Sequence, residues 1–154
     1  MTKKAAVPVS LEDQLCYAIY STGIAIQRAY KPLLDKLGLT YPQYLALNLL
    51  WQDDEQNVGE MAKRLALESS TLTPILKRLE HAGLVQRIRN QENQREVIVK
   101  LTHQGKAMRF DAVCLNDSLL EMSGQSAADL ARLNRDIVGL RDTIYGRIKS
   151  AGED

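Results

Sequence analysis

The sequence predicts a mainly α-helical fold with one small β-hairpin wing, a winged helix-turn-helix. Three observations predict it. Apolar residues recur every three or four positions at both ends of the chain, the period of helices with one buried face. Between Leu84 and Leu101 that period gives way to alternation in two runs rich in β-branched residues. Just before them, two short helical patterns are joined by a tight turn, the helix-turn-helix arrangement.

The first helix is expected over Leu11–Leu37, with Leu15, Ala18, Ile19, Thr22, Ile26, Ala29, Leu33 and Leu37 along one face. Ser10 is placed to cap it, with Glu12 and Asp13 in the first turn. Pro32 marks a kink or break near its end, and Gly38 stops it. Thr40 caps a second helix with Pro42 in its first turn, ending at Asp53 and Asp54. The third spans Val58–Leu65. The fourth starts around Ser69, with Pro74 close to its start, Leu72, Ile75, Leu76, Leu79 and Ala82 as its buried stripe, and Gly83 as its stop. Strands Leu84–Arg89 and Glu96–Leu101 follow, joined by a polar loop. Thr102 caps a fifth helix reaching about Met122. A sixth, from Ala127 to Lys149, carries Leu130, Leu133, Ile137, Leu140, Ile144 and Ile148 on one face. The expected organisation is an N-terminal helix over 1–39, a DNA-binding lobe over 40–101 and C-terminal helices over 102–154.

Composition narrows the function. The 154 residues amount to about one domain, and 20 basic against 19 acidic side chains exclude a polybasic protein. No run approaches the roughly 18 apolar residues of a membrane span, and the first residues lack the apolar core of a signal peptide. Two cysteines, Cys16 and Cys114, make no disulfide framework, and with only His81 and His103 beside them no metal site is expected. A cytoplasmic protein without a cofactor follows. The charge is uneven: residues 1–57 hold 5 basic and 6 acidic side chains, residues 58–110 hold 10 and 5, and residues 111–154 hold 5 and 8. A basic middle between neutral or acidic ends is the footprint of a nucleic-acid-binding segment, although surface charge also clusters by chance.

The fourth helix is then the candidate reader of the major groove of double-stranded DNA. Ser69, Ser70, Thr71, Thr73, Pro74, Lys77 and Arg78 lie in its first turns or opposite its leucine stripe. Hydroxyls near a helix start suit base edges and phosphates, and cations one turn on suit the backbone or guanine. Arg95, with Asn93 beside it, projects from the hairpin loop, and Arg87 and Arg89 flank it. Taken singly, each of these residues reads better as part of a solvated polar face; the helix-turn-helix with a basic hairpin is specific only as a unit.

Three segments resemble the organic-hydroperoxide-sensing (OhrR-like) branch of the MarR family of repressors. They are Leu15-Cys16-Tyr17, KPLLDKLGLTYPQYL over residues 31–45, and TLTPILKRLE over residues 71–80. The resemblance spans roughly residues 11–149 and weakens after Ala112. It implies a symmetric homodimer on a palindromic operator, with the first, fifth and sixth helices at the interface. It implies repression relieved when Cys16 is oxidised by an organic hydroperoxide. Two departures stand out: Glu68-Ser69-Ser70 in place of Asp-Ser-Gly, and Asn93-Gln94-Arg95 in place of Asp-Glu-Arg, which removes a carboxylate from beside Arg95.

Cys16 has Tyr20 one turn on, on the same helix face. Tyr30 lies fourteen residues on, about 21 Å along a straight helix, so within one chain the two cannot touch if the helix is straight; they can meet if two such helices run antiparallel in a dimer. The resemblance assigns Tyr30 and Tyr41 of the partner to the thiolate, which their hydrogen bonds favour over the thiol. It places a second, resolving cysteine on the fifth helix about two turns after Cys114, near Glu121; Cys114 either still reaches the oxidised Cys16 as an intersubunit disulfide through a mobile interface or is a core residue. In the latter case a low-molecular-weight thiol resolves Cys16. Two alternatives compete. In one, a small aromatic or lipophilic ligand induces the same repressor and Cys16 is structural, a small apolar residue as most buried cysteines are. The other is a thiol peroxidase, disfavoured because no histidine lies near Cys16; an enzyme is not expected.

Overall fold

A computed structural model describes residues 9–152. A short 3-10 turn, Leu11–Asp13, comes first, and α1 (Leu15–Leu37) begins after an extended Gln14. The expected single helix from Leu11 is therefore interrupted, and Ser10 bonds to Asp13 (2.8 Å) rather than capping α1. Pro32 does not end α1, which runs on to Leu37. Gly38, at φ 67°, ends it, with the Leu39 N–H returning to the Leu34 carbonyl (3.0 Å). α1 buries only its C-terminal half, at Tyr30 and Leu34, whereas Leu15, Ile19 and Tyr20 are exposed.

Thr40 and Gln43 form a reciprocal capping box that opens α2 (Tyr41–Gln52), with Pro42 in its first turn. A two-residue strand β1 (Gln56–Asn57), which no periodicity announces, leads into α3 (Val58–Leu65). Asn57 also caps α3, accepting the Gly59 N–H at 2.7 Å. α4 spans Ser69–His81, so Pro74 stands in its second turn and not at its start. Proline there withdraws the bond to the Ser70 carbonyl, yet the helix continues beneath it. β2 (Val85–Arg89) and β3 (Val97–Leu101) form the expected hairpin, and β1 pairs with the far edge of β3 in the order β1-β3-β2, all antiparallel. The register sets Gln56 and Arg87 on either side of Val99.

The expected long fifth helix is two elements. α5 (His103–Ala112), capped by Thr102, ends at Val113, and α6 (Cys114–Ser123) follows. Ser126 caps α7 (Ala127–Ala151). The chain divides into two compact units, Met1–Leu115 and Asn116–Asp154. In the first unit Leu47, Leu50, Met61, Leu72, Leu76, Leu79, Val85 and Val99 are fully buried. Each contributes about 1.5–3 kcal/mol by leaving water, and together they fix α4 and the hairpin on α2 and α3. In the second unit, Leu133, Ile137, Leu140, Ile144 and Ile148 of α7 are all exposed.

Candidate functional site

α4 presents two faces. Leu72, Leu76 and Leu79 are fully buried, while Ser69, Ser70, Thr71, Pro74, Lys77 and Arg78 are exposed and Thr73 is half-buried. At 100° per residue, Ser70, Pro74, Lys77 and His81 line up along the outward stripe. No side chain caps the start of α4: Glu68 occupies the N-cap position without a side-chain bond. The first-turn N–H groups are thus not covered by a capping side chain, and such groups suit an anion. The Thr73 hydroxyl donates to the Ser69 carbonyl (2.8 Å), which fixes its oxygen as an acceptor beside the helix start.

The hairpin loop is held by its own asparagines. Asn90 pairs with Glu96 through backbone and side chain, and the Asn93 amide oxygen accepts the Arg95 N–H at 3.3 Å. Asn93 therefore orders the backbone at Arg95. Among the described residues no carboxylate pairs with the side chains of Arg95, Arg89, Lys77 or Arg78. Arg87 differs. Its backbone N–H and its Nε–H donate to the two oxygens of Glu80 (3.0 and 2.9 Å), and its Nη2 lies 2.8 Å from Glu80. These bonds hold the Glu80 carboxyl below the usual carboxylate range. Ser69, Thr73, Arg87 and Arg95 border one cavity of about 370 Å³ between the start of α4 and the wing.

The thiol residues are separated within the chain. Cys16 and Tyr20 are exposed near the start of α1. α1 is continuous from Leu15 through Tyr30, so the Cys16-to-Tyr30 rise is about 21 Å. Tyr30 and Tyr41 do come together, with ring centroids 5.9 Å apart. Two aromatics that sequence reasoning passed over extend the cluster: Tyr44 lies 6.2 Å from Tyr41, and Trp51 lies 6.2 Å from Tyr44. Positions 41, 44 and 51 share one helix face, so the period of α2 already carried this signal. Burial, reinforced by Tyr41 and Tyr44, pushes the Tyr30 hydroxyl up to about 12. Tyr41 is raised first by burial and then by Tyr44. Tyr44 is raised by burial against the opposing Asn48 bond (3.1 Å), with Cys114 adding to the rise. All three hydroxyls keep their protons at neutral pH. Cys114 is exposed, so it is not a core residue of this chain; its thiol donates to the Asp111 carbonyl at 3.4 Å.

A cavity of about 360 Å³ opens between α1 and α2, lined by Ile24, Leu34, Leu39 and Tyr41 together with the charged Arg28, Lys31 and Asp35. The Trp51 indole N–H donates to the Gly105 carbonyl (2.8 Å), joining α2 to α5. Among the described residues no helix is long and apolar enough to cross a membrane.

Residues 28–110 match the family model described as transcriptional regulator SarA/Rot. The chain is 43% identical over 137 residues to the organic hydroperoxide resistance transcriptional regulator of Bacillus subtilis, covering 89% of this chain and 93% of that protein. AbfR of Staphylococcus epidermidis, solved reduced and bound to DNA, superposes with a TM-score of 0.76 at 31% identity, covering 90% and 94% of the two chains. A disulfide form of AbfR gives a TM-score of 0.60 at 31% identity, covering 90% and 92%.

Proposed function

The chain belongs to the SarA/Rot-type, MarR-like winged-helix transcriptional regulators, and from that membership we propose that it is a cytoplasmic homodimeric repressor switched off its operator by an organic hydroperoxide at Cys16. The observation that carries this reading is the separation of Cys16 from the Tyr30–Tyr41 pair along one unbroken helix. The thiol is complete only when a second chain brings its tyrosines. The exposed apolar residues Leu15 and Ile19 of α1 and the Leu133–Ile148 stripe of α7 supply the surface for that second chain. In this reading residues 1–39 and 102–154 dimerise, and residues 40–101 bind DNA.

Ser69, Ser70, Thr71, Thr73, Pro74, Lys77 and Arg78 enter or border the major groove, and Arg89, Asn93 and Arg95 approach the minor groove. Two copies of α4 about 34 Å apart then meet successive turns of a palindrome. The Cys16 thiolate, hydrogen-bonded by the partner's Tyr30 and the partner's Tyr41, attacks the terminal peroxide oxygen. The O–O bond breaks, the alkoxide takes a proton and leaves as an alcohol, and sulfur becomes a sulfenic acid, oxidised by two electrons. The tyrosine bonds made to the thiolate are lost, and the interface repacks. The partner's Cys114, near the partner's Tyr44, then displaces hydroxide from that sulfur as water and forms a disulfide. A low-molecular-weight thiol does the same where Cys114 does not reach. Loss of a few kcal/mol of specific affinity is enough to relieve repression.

The test is binding to the duplex that the wild-type protein enriches from a random-sequence library, with and without cumene hydroperoxide. Wild type is expected to release the duplex on oxidation and Cys16→Ser to hold it. Equal, peroxide-insensitive binding by both would refute the redox reading. The α1–α2 cavity, with Ile24, Leu34, Leu39 and Tyr41 in its wall, favours one second reading, induction by a small aromatic or lipophilic ligand. Release of DNA by such a compound in Cys16→Ser would support it.

A further inference from the structure

Glu80 is the one acidic residue in α4, within the segment 58–110 that holds 10 basic and 5 acidic side chains. A carboxylate on a DNA-reading helix opposes the phosphates, so its presence asks for a compensating role. Both of its oxygens are taken by one residue of the next element. Oε1 accepts the Arg87 backbone N–H at 3.0 Å, and Oε2 accepts Nε–H at 2.9 Å and Nη2–H at 2.8 Å. The two side chains, Arg87 and Glu80, are 25% and 37% exposed. A planar, multidentate pair of this kind fixes orientation as well as distance. Among the described residues it is the only ion pair that joins α4 to the sheet. On one side of it lie Lys77 and Arg78; on the other, β2 runs through Arg89 to the loop that carries Arg95.

We propose that Glu80 is a positioning residue for DNA binding: through Arg87 it sets the wing at a fixed register to the recognition helix, so that both sets of cations meet the duplex together. Arg87 on this account is a brace and not a phosphate contact. The proposal rests on the reading that α4 and the wing both touch DNA.

The experiment measures affinity and its salt dependence on the library-selected duplex for wild type, Glu80→Gln, Arg87→Ala, the double variant, and Lys77→Ala and Arg95→Ala as controls. Measurements are made well below the melting temperature of each variant, recorded separately, so that unfolding does not enter. Removing a negative charge near DNA by electrostatics alone tightens binding. The clamp predicts the opposite: Glu80→Gln and Arg87→Ala each weaken binding about tenfold, and the double variant is no weaker than either single one. Because the wing still makes its phosphate contacts once docked, and only its pre-set register is lost, the log–log salt slope of both stays at the wild-type value. Unchanged or tighter binding by Glu80→Gln overturns the proposal. So does a slope lowered by about 0.9 per protomer in Arg87→Ala, which marks a lost phosphate contact. If Lys77→Ala and Arg95→Ala leave binding untouched, the underlying assignment of the DNA surface fails instead.

Discussion

Replacing Gly105 by alanine is expected to destabilise the protein by about 3 kcal/mol. Gly105 lies in the first turn of α5, where α5, α2 and the start of β2 converge. A Cβ built there falls deep inside van der Waals contact of the Leu84 carbonyl oxygen, 3.0 Å from the carbonyl carbon and 3.2 Å from Leu101 Cδ2. The first contact is with backbone, which no side-chain rotation relieves. Forcing a methyl into such a site costs about 2 kcal/mol. The shift also strains the Thr102 N–H bond to the same Leu84 oxygen (3.0 Å) and the Trp51 bond to the Gly105 carbonyl (2.8 Å). Each bond contributes about 1 kcal/mol. Alanine recovers about 1 kcal/mol of helix propensity. Urea unfolding followed by the fluorescence of Trp51, the sole tryptophan, reads the outcome at fixed protein concentration. A loss below about 1 kcal/mol, or a gain from propensity alone, would refute the close-packing argument.

Local geometry sets three further outcomes. Ala66, exposed at the end of α3 with φ 55°, holds a left-handed conformation that costs a non-glycine residue about 1 kcal/mol, so Ala66→Gly is expected to raise Tm by about 2–4 °C in a thermal melt. Tyr30, raised to about 12 from 10.0, binds its proton more tightly folded than unfolded. Its contribution is therefore complete below pH 10 and is lost as pH rises towards 12, and urea titrations across that window should show a smaller loss in Tyr30→Phe. Arg95→Ala is expected to weaken duplex binding about tenfold and to lower the salt slope by about 0.9 per protomer; unchanged affinity at moderate salt would remove the wing from the interface.

Much of this architecture was legible because single-element signals and tertiary packing agree. The leucine period of α4, the Thr40 cap and the alternation of the two hairpin strands each survive into the fold. What was not legible depends on partners distant in sequence. Two residues carry no period, so β1 is defined only by its pairing with β3, Gln56 opposite Val99 and Asn57 opposite Ile98. The Glu80–Arg87 clamp crosses a turn that no helical or strand period spans. Pro74 was expected near a helix start because proline removes a bond, but an exposed second turn tolerates that loss. Gly105 reads in sequence only as a weak helix former, and its reason is the Leu84 carbonyl. The roughly 21 Å rise between Cys16 and Tyr30 along α1 was legible in advance, while bringing Tyr30 onto the Tyr41–Tyr44–Trp51 face of α2 needed the fold.

If Cys16 of one chain is activated by the tyrosines of another, mixed dimers show it most directly. One chain carries Cys16→Ser with its tyrosines intact; the other keeps Cys16 and carries Tyr30→Phe and Tyr41→Phe. The rate at which cumene hydroperoxide converts Cys16 to sulfenic acid is read by dimedone labelling and mass spectrometry. Activation across the interface predicts that Cys16 in the mixed dimer reacts at the wild-type rate, because the tyrosines it needs are on the other chain, and that it reacts slowly in the homodimer of the double-phenylalanine chain. A mixed dimer no faster than that homodimer would contradict it.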